Sequence, residues 1–437
     1  MINTVRPLTA EEFALRFAEI HPAFTPQEAV VEANRCLFCY DAPCTNACPT
    51  HIDVPRFIKK IASGNLRGSA MTILDSNVLG LSCSRVCPVD VLCEGACVLH
   101  RYSRQPIEIG RLQRRAMDHF YATGAKLSVA AAAKNASVAC IGAGPASLAC
   151  AAELARRGYR VTVFDSRPQG GGLNTYGVAE YKFRPAESQK EVEMIRSLGV
   201  EFRLGVEVGT SVSIADLEKE FTALFIGVGL GPTQPLAIPG EELPGVMDAL
   251  HFIADYKSSG STRVGRRVVI VGGGNTAIDA ATAARRLGAE SVTMVYRRGE
   301  PQMPAFTFEV ELARQDGVTF QWHTQPVSIQ GAAAVEGIEC VRLDSALAPI
   351  PGSNFTLACD TVIVSIGQSK LVDLLRDCGI ELNNGRVAAD PQTGQCANPR
   401  YFAGGDCVNG GREVVDAAAG GKRAAIGIAN WLEARNG

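Results

Sequence analysis

The sequence predicts an α/β protein in which two dinucleotide-binding domains of the Rossmann type follow an N-terminal helical region. Two β–turn–α units begin near Ser137 and Arg267, and each places a glycine turn between an apolar strand and a helix. The first 125 residues instead combine short helical patterns with eight cysteines. A chain of 437 residues is long enough for about three domains. We therefore expect a helical domain at 1–133, one dinucleotide-binding domain built from 134–240 and 369–437, and a second at 241–368.

The helical region carries its cysteines in two closely spaced groups. They read Cys36-x2-Cys39-x4-Cys44-x3-Cys48 and Cys83-x3-Cys87-x5-Cys93-x3-Cys97. Thiolates that converge from short, turn-rich stretches are typical of iron–sulfur sites, and a proline follows Cys48 as in known cluster-binding runs. Zinc and disulfides are the alternatives, but the remainder of the chain has the pattern of a large intracellular enzyme. Apolar periodicity predicts helices over Val54–Ala62 and Arg111–Tyr121 in this region, and a connector at 130–133 after it.

Composition excludes several classes of function. The formal net charge is −2, so a nucleic-acid partner is not expected. The sequence has no run of about 18 apolar residues, which argues against a membrane span. It also shows no secretory signal pattern. Fifteen cysteines without an export signal predict the reducing cytoplasm, where the cysteines beyond Cys97 are expected to be small buried apolar residues.

The first glycine turn is Gly142-Ala143-Gly144-Pro145-Ala146-Ser147, between a strand at 137–141 and a helix that reaches Arg156. In the dinucleotide fingerprint, the first glycine permits the tight turn and the second lets the backbone approach a pyrophosphate. Ser147 replaces the third glycine, and its small size still permits close packing. The second strand, 160–164, is followed by Asp165, which is suited to an unphosphorylated ribose.

The second turn is Gly272-Gly273-Gly274-Asn275-Thr276-Ala277, between a strand at 268–271 and a helix at 276–287. The strand at 292–296 is followed by Arg297 and Arg298 instead of an acid. Two guanidinium groups there favour a 2′-phosphate, hence NADP over NAD. The alternative is that both arginines are solvated loop residues.

Further glycine segments complete the pattern of a flavoprotein with two dinucleotide sites. They are Gly170–Gly172, the end of an apolar strand at Gly367, and the Gly404-Gly405-Asp406 turn. Asp406 is expected to accept a hydrogen bond from the ribityl chain of FAD, and the helix from Val414 to point its N-terminus at the isoalloxazine ring.

Over nearly its whole length, the chain resembles the flavin-containing half of dihydropyrimidine dehydrogenase and the bacterial PreT-type subunits of that family. The resemblance rests on Cys36–Cys44, Ala47–Thr50, Leu92–Cys97, Ile109–Gln113 and Gly142–Ser147. The small subunit of glutamate synthase is similar more loosely. Its second cysteine group is shorter, and it has an acid where this chain has Gln113.

The resemblance implies how two [4Fe-4S] clusters are ligated. One cluster takes Cys36, Cys39, Cys44 and Cys97. The other takes Cys48, Cys87, Cys93 and the side chain of Gln113, while Cys83 is not a ligand. Without the resemblance, Gln113 reads as an exposed glutamine on a helix.

The resemblance also implies the nucleotide contacts. FAD is expected at Val86, Gly142, Ala143, Gly144, Pro145, Ala146, Asp165, Leu173, Gly405 and Asp406, and NADP(H) or NAD(H) at Gly273, Gly274, Asn275, Thr276, Arg297, Arg298 and Gly367. The chain departs from the family pattern at two positions. Lys182 stands where the mammalian-type enzyme has an arginine near the flavin. Pro304 replaces an arginine near the 2′-phosphate, which weakens the preference for NADP.

By this resemblance, the chain is expected to oxidise NAD(P)H and pass electrons through FAD and the clusters to an FMN- and iron–sulfur-containing, PreA-like catalytic subunit. That partner would reduce uracil or thymine. One alternative is a reductase that serves another partner, such as glutamate synthase or a ferredoxin-linked enzyme. Another is a scaffold that transfers no electrons. No general acid or base is expected, because such a protein contributes positioning and electrostatics.

Overall fold

The computed structural model describes residues 4–128, 132–260, 264–377 and 379–436. Part of the predicted connector at 130–133 and Cys378 therefore lie outside the described residues. The chain forms two compact units. The larger unit comprises Ile20–Thr175, Pro185–Leu230 and Lys370–Gly437, and the smaller unit comprises Met1–Glu19, Tyr176–Arg184 and Gly231–Ser369. The division into a helical and two dinucleotide-binding domains stays a prediction.

The helices are numbered in chain order. They are α1 Ala10–Arg16, α2 Pro26–Asn34, α3 Pro43–Asn46, α4 Val54–Ala62, α5 Leu66–Ser76, α6 Gly80–Val86, α7 Ile109–Ala122, α8 Pro145–Arg156, α9 Leu173–Tyr176, α10 Pro185–Arg196, α11 Ile214–Glu220, α12 Ala249–Ser259, α13 Asn275–Leu287, α14 Thr307–Gln315, α15 Val372–Asp377, α16 Asp406–Asn409 and α17 Val414–Asn436. Short 3-10 helices span Val89–Val91, Val98–Tyr102 and Glu300–Gln302.

The strands are numbered in the same way. They are β1 Ser137–Ile141, β2 Arg160–Asp165, β3 Glu201–Leu204, β4 Ala223–Ile226, β5 Val246–Asp248, β6 Arg267–Gly272, β7 Ser291–Val295, β8 Val318–Gln321, β9 Thr324–Gln330, β10 Gly337–Arg342, β11 Phe355–Ala358, β12 Thr361–Ser365, β13 Leu382–Asn383, β14 Arg386–Val387 and β15 Tyr401–Ala403.

The cysteine-rich part of the larger unit is helical, as predicted. Asp53 caps the N-terminus of α4 by accepting a hydrogen bond from Arg56 N. Val54, Phe57, Ile58 and Ile61 are buried, and their i, i+3, i+4, i+7 spacing places them on one face of α4. The α7 helix begins at Ile109, two residues before the predicted start, and it buries Leu112, Gln113 and Ala116 among others.

The larger unit also contains a five-stranded parallel sheet in the order β15-β4-β1-β2-β3. The apolar residues of β1 and β4 are buried, as expected for a parallel sheet covered on both faces. The chain runs from β1 to β2 on one side, whereas β4 joins β1 on the other. The carboxyl end of β1 therefore lies at a topological switch point, where doubly wound folds bind their ligands.

The smaller unit repeats this arrangement. Its parallel sheet has the order β5-β12-β6-β7-β8, with a switch point between β6 and β12. An antiparallel sheet, β11-β10-β9, packs part of the same core, in which Ile338 and Val362 are fully buried. The predicted α/β class with two Rossmann-like sheets is confirmed.

Among the described residues, no helix is both long enough and apolar enough to span a membrane.

Candidate functional site

Four cysteines surround one recess in the helical part of the larger unit. Cys36, Cys39, Cys44 and Cys97 line it together with apolar residues such as Val54 and Ile58. Burial raises the pKa of Cys44 to about 12, and the nearby Cys36 thiol adds to the rise. Thiols in such a place bind a metal centre only when they give up their protons, so binding the centre releases protons.

A separate set in the structure is formed by Cys48, Cys83, Cys87 and Cys93, so it takes members from both groups of the sequence. A hydrogen bond with Cys83, burial, and the neighbouring Cys93 and Cys48 all raise the pKa of Cys87. Burial and the charges of Glu94 and Cys48 raise the pKa of Cys93. Cys83 accepts a hydrogen bond of 3.2 Å from Asn77 Nδ2. The structure therefore brings Cys83 into this group, and its exclusion from the ligands stays a prediction.

Both groups fit an iron–sulfur cluster. Each described cysteine is free, and cysteine thiolates are the usual ligands of such clusters. Within the described residues, no set of three or more His, Cys, Asp or Glu side chains meets closely enough to hold a single metal ion.

Gln113 is buried on α7, so the interpretation as an exposed glutamine is wrong. Its Nε2 donates a hydrogen bond of 2.8 Å to Gly80 O, at the start of α6. The α6 helix ends at Val86, and Cys87 is its C-cap. This bond ties Gln113 to the helix that leads into Cys87, and Oε1 is the atom of the amide able to bind a metal.

The first glycine turn links β1 to α8 at the switch point of the larger unit. Gly142 has φ +91°, and a Cβ there would lie 2.5 Å from Gly227 O, so the turn requires glycine. Gly144 is the N-cap of α8, and a Cβ there would meet no atom within 4 Å. The backbone at Gly144 therefore faces open space at a helix N-terminus, which fits the pyrophosphate of FAD.

Asp165 ends β2 beside this turn. Its Oδ2 accepts a hydrogen bond of 2.6 Å from Ala143 N, and its Oδ1 accepts one of 2.8 Å from Arg167 N. Burial raises the pKa of Asp165, although these two bonds oppose the rise. Asp165 thus shapes the turn in addition to its predicted role at the ribose.

The other residues predicted at FAD come from several elements of the larger unit. A Cβ on Gly405 would lie 2.8 Å from Ala146 Cβ, which places the Gly405–Asp406 turn against the start of α8. Asp406 Oδ1 accepts a hydrogen bond from Arg412 N, and burial raises the pKa of Asp406. Leu173 begins α9, Val86 ends α6, and Pro145 opens α8.

The second glycine turn has the same construction in the smaller unit. Gly272 has φ +146°, and a Cβ there would overlap Ser365 O, at the end of β12. Gly274 is the N-cap of α13 and, like Gly144, faces open space. A Cβ on Gly273 would lie 2.6 Å from the Tyr296 ring, so the turn also packs against the end of β7. This cradle fits a second dinucleotide.

The remaining residues predicted at this nucleotide lie around the cradle. Asn275 Oδ1 accepts a hydrogen bond from Phe306 N, while Thr276 continues the first turn of α13. Arg297 and Arg298 are exposed just after β7, and neither forms an ion pair with a residue that the structure describes. Gly367 follows β12 with φ +109°.

Lys182 belongs to the smaller unit and is buried there between two carboxylates. Its Nζ lies 2.6 Å from both Asp279 Oδ1 and Glu309 Oε1. Burial lowers the pKa of Lys182, but the two carboxylates outweigh burial and the pKa is raised overall. Tyr181 OH also donates to Asp279 Oδ1. The charge of Lys182 is thus compensated within its own unit.

Two residues that complete the cradles were not predicted. Gly227 follows β4 and Ser365 ends β12, and each lies against the first glycine of its turn. The Ile226-Gly227-Val228-Gly229 segment carries a signal for such a position, namely an apolar strand followed at once by glycine.

Comparison with known proteins agrees with this geometry. The family model described as pyridine nucleotide-disulphide oxidoreductase matches residues 136–421, and that of dihydropyrimidine dehydrogenase domain II, 4Fe-4S cluster, matches residues 14–125. The glutamate synthase [NADPH] small chain of Halomonas elongata is 37% identical over 96% of this chain and 94% of its own length. The NAD-dependent dihydropyrimidine dehydrogenase subunit PreT of Escherichia coli K12 is 34% identical over 95% of this chain and 97% of its own length.

Solved structures share the fold. The crystal structure of T. acidophilum thioredoxin reductase has a TM-score of 0.56 at 19% identity, and the match covers 68% of this chain and 98% of that chain. Mycobacterium tuberculosis FprA in complex with NADPH has a TM-score of 0.56 at 20% identity, covering 69% of this chain and 86% of its own. The resemblance seen in the sequence is confirmed by the relatives. The chain belongs to the pyridine nucleotide-disulphide oxidoreductase family, as a member with an N-terminal 4Fe-4S domain, and is an NAD(P)H-dependent flavin oxidoreductase that uses FAD and iron–sulfur chemistry.

Proposed function

We propose that this chain is the electron-input subunit of a bacterial dihydropyrimidine dehydrogenase. It would oxidise NAD(P)H and deliver electrons to a separate, PreA-like subunit that carries FMN and iron–sulfur clusters and reduces uracil or thymine. The heteromeric complex would work in the cytoplasm, where thiols stay reduced. FAD is needed because it accepts a two-electron hydride and returns single electrons.

The residues of this chain would bind and orient the cofactors. The Gly142–Ala146 turn and Asp165 would hold the adenine dinucleotide part of FAD, and the Gly273–Thr276 turn would hold the nicotinamide nucleotide. Cys36, Cys39, Cys44 and Cys97 would ligate one cluster. Cys48, Cys87, Cys93 and Gln113 would ligate the other.

The observation that carries the proposal is the buried amide of Gln113. A glutamine that is 7% exposed and fixed to Gly80 O has a defined orientation, as a cluster ligand requires. An amide here, with the spacing Cys87-x5-Cys93, favours the pyrimidine enzyme over glutamate synthase. The PreT relatives agree with the choice, since they are 34% identical over 95% of this chain.

A second candidate is the small subunit of a glutamate synthase. It is favoured by identity, which reaches 37% for the Halomonas elongata chain against 34% for PreT of Escherichia coli. The two candidates share the reductase chemistry of this chain and differ in the partner that accepts the electrons.

An anaerobic reconstitution separates them. The purified chain alone should reduce an artificial dye with NAD(P)H but leave uracil unchanged. Addition of a PreA-like subunit should start uracil reduction, whereas addition of a glutamate synthase large subunit should not start glutamate formation from glutamine and 2-oxoglutarate. Uracil reduction by this chain alone, or glutamate formation with the large subunit, would reject the proposal.

A further inference from the structure

The larger unit contains a buried carboxylate that neither nucleotide cradle uses. Glu191 lies on α10 and is 1% exposed. Its Oε1 accepts hydrogen bonds from Leu81 N at 2.9 Å and from Ser82 N at 3.0 Å, and its Oε2 accepts one from Ser82 Oγ. All three donors belong to the first turn of α6, so this carboxylate fixes the start of that helix.

The start of α6 is also held from two other directions. Gln113 Nε2 donates to Gly80 O at 2.8 Å, and Asn174 Nδ2 donates to Ser82 Oγ at 2.8 Å. Asn174 follows the glycine segment 170–172, in which a Cβ on Gly172 would lie 2.8 Å from Gly144 Cα. One short helix thus joins a proposed cluster ligand to the loop that packs against the FAD turn.

The C-terminal end of α6 leads into Cys87, which belongs to the set formed with Cys48, Cys83 and Cys93. The helix ends at Val86, which is predicted to contact FAD, and its C-cap is Cys87. The backbone hydrogen bonds of α6 make its seven residues a stiff segment, so a displacement at one end also moves the other end. Any shift at Leu81 and Ser82 would therefore change the position of Val86 and Cys87 relative to the glycine segment 170–172.

From these contacts we infer that Glu191 is a positioning residue for electron transfer between FAD and the second cluster, acting through α6. The inference rests on the proposed function, because it requires a flavin and a cluster that exchange electrons. It assigns to Glu191 no contact with either group.

The chemistry of the side chain explains why a carboxylate stands there. Burying a carboxylate is costly, and burial raises the pKa of Glu191 to about 7 while the three hydrogen bonds oppose the rise. An ionised carboxylate offers acceptors only, which suits three converging donors. An amide of the same shape keeps one acceptor oxygen for Leu81 N and Ser82 N, but its NH2 group can only donate to Ser82 Oγ. Glu191→Gln therefore reverses the bond with Ser82 Oγ and removes the charge while it preserves the volume.

The test compares Glu191→Gln with a matched control in the full-length holoprotein under anaerobic conditions. Glu193→Gln is the control, because Glu193 lies on the same helix with a side chain that is 64% exposed and pairs with Arg196. Stopped-flow spectroscopy would follow flavin bleaching by NAD(P)H and the later reduction of the clusters. Electron paramagnetic resonance of dithionite-reduced protein would report the environment of the cluster independently of turnover.

For Glu191→Gln, we expect flavin bleaching within about twofold of wild type, cluster reduction slowed at least tenfold, and a changed resonance spectrum. Glu193→Gln should match wild type in all three. If Glu191→Gln lowers only thermal stability or cofactor content, while its loaded fraction reduces the clusters at the wild-type rate with the wild-type spectrum, the inference is overturned.

Two further results complete the design. If Glu191→Gln does not fold, Asn174→Leu removes the hydrogen bond from Asn174 Nδ2 to Ser82 Oγ, and the same slow cluster reduction is expected; an unchanged rate there would overturn the inference. A wild-type protein whose flavin bleaches but whose clusters stay oxidised would reject the proposed function itself. Wild-type transfer with unaltered variants would reject only the role of Glu191.

Discussion

Gly142 and Gly144 of the first glycine turn, at which we predict FAD, should respond to alanine in opposite ways. Gly142 adopts φ +91°, where an L-residue costs about 1–2 kcal/mol. A Cβ there would also lie 2.5 Å from Gly227 O, a backbone atom that cannot rotate away, which adds roughly 1–3 kcal/mol. Gly142→Ala should therefore lower the free energy of unfolding by about 2–5 kcal/mol whether or not FAD is bound.

At Gly144, we expect alanine to affect FAD binding and not the stability of the protein without FAD. Its φ of −78° and ψ of 178° suit any residue, and no atom lies within 4 Å of a Cβ there. Gly144→Ala should leave the protein without FAD unchanged or stabilise it by about 0.4–1 kcal/mol. The added methyl group would occupy the space that the pyrophosphate needs, so FAD affinity should fall at least about 100-fold, or roughly 2.7 kcal/mol.

Thermal unfolding with and without added FAD separates these effects, and flavin fluorescence gives the dissociation constant. Gly142→Ala should lower Tm under both conditions. Gly144→Ala should keep the Tm measured without FAD and lose the rise that saturating FAD produces in wild type. Wild-type FAD affinity in Gly144→Ala would refute the assignment of this turn to the pyrophosphate. An unchanged Tm in Gly142→Ala would refute the packing argument.

Three further outcomes are expected. Replacing Arg297 and Arg298 by alanine should lower kcat/KM for NADPH by about 10–100-fold and leave that for NADH within twofold, because both side chains are exposed and free to bind a 2′-phosphate; equal losses would remove that role. Cys83→Ala should keep about eight irons per chain by chemical analysis, whereas Cys36→Ala should keep about four, and a loss of iron in Cys83→Ala would make Cys83 a ligand. Between pH 4.5 and 7 the folded protein retains a proton on Glu191 that the unfolded chain has lost, so this group should lower stability as pH rises, by up to about 3 kcal/mol. The Tm of wild type should fall relative to that of Glu191→Gln as pH rises across that range; a constant difference would contradict the shift.

The regular elements around both cradles could be predicted closely from the sequence. The strand at 137–141 and the ends of α4 match the structure in their bounds, and β6 and β7 differ from the predicted strands by one residue at each end. These elements combine an apolar run or a helical period with glycine or aspartate at their ends, so local signals agree with the fold.

Other features depend on partners that are distant in the chain. Lys182 pairs with Asp279 and Glu309, which lie 97 and 127 residues later, and its predicted place near the flavin stays a prediction. Gln113 likewise has its partner in another helix, because its amide donates a hydrogen bond to Gly80 O. Nothing in the sequence around Gln113 indicates this contact. Spacing within a sequence predicts neighbours along one element, whereas these contacts form only when separate elements pack together.

The two cradles differ less in their backbones than in the charge that follows the second strand. In both, the first glycine packs against the strand across the switch point, and the second faces open space at a helix N-terminus. Asp165 ends β2, and its carboxylate accepts hydrogen bonds from Ala143 N of the glycine turn and from Arg167 N just after β2, so an acidic group is held at that edge. A 2′-phosphate would be repelled there, whereas Arg297 and Arg298 would attract it at the other cradle. The charges at the two strand ends therefore predict that a nucleotide with a 2′-phosphate binds at the second cradle, even though the glycine turns alone would accept either dinucleotide.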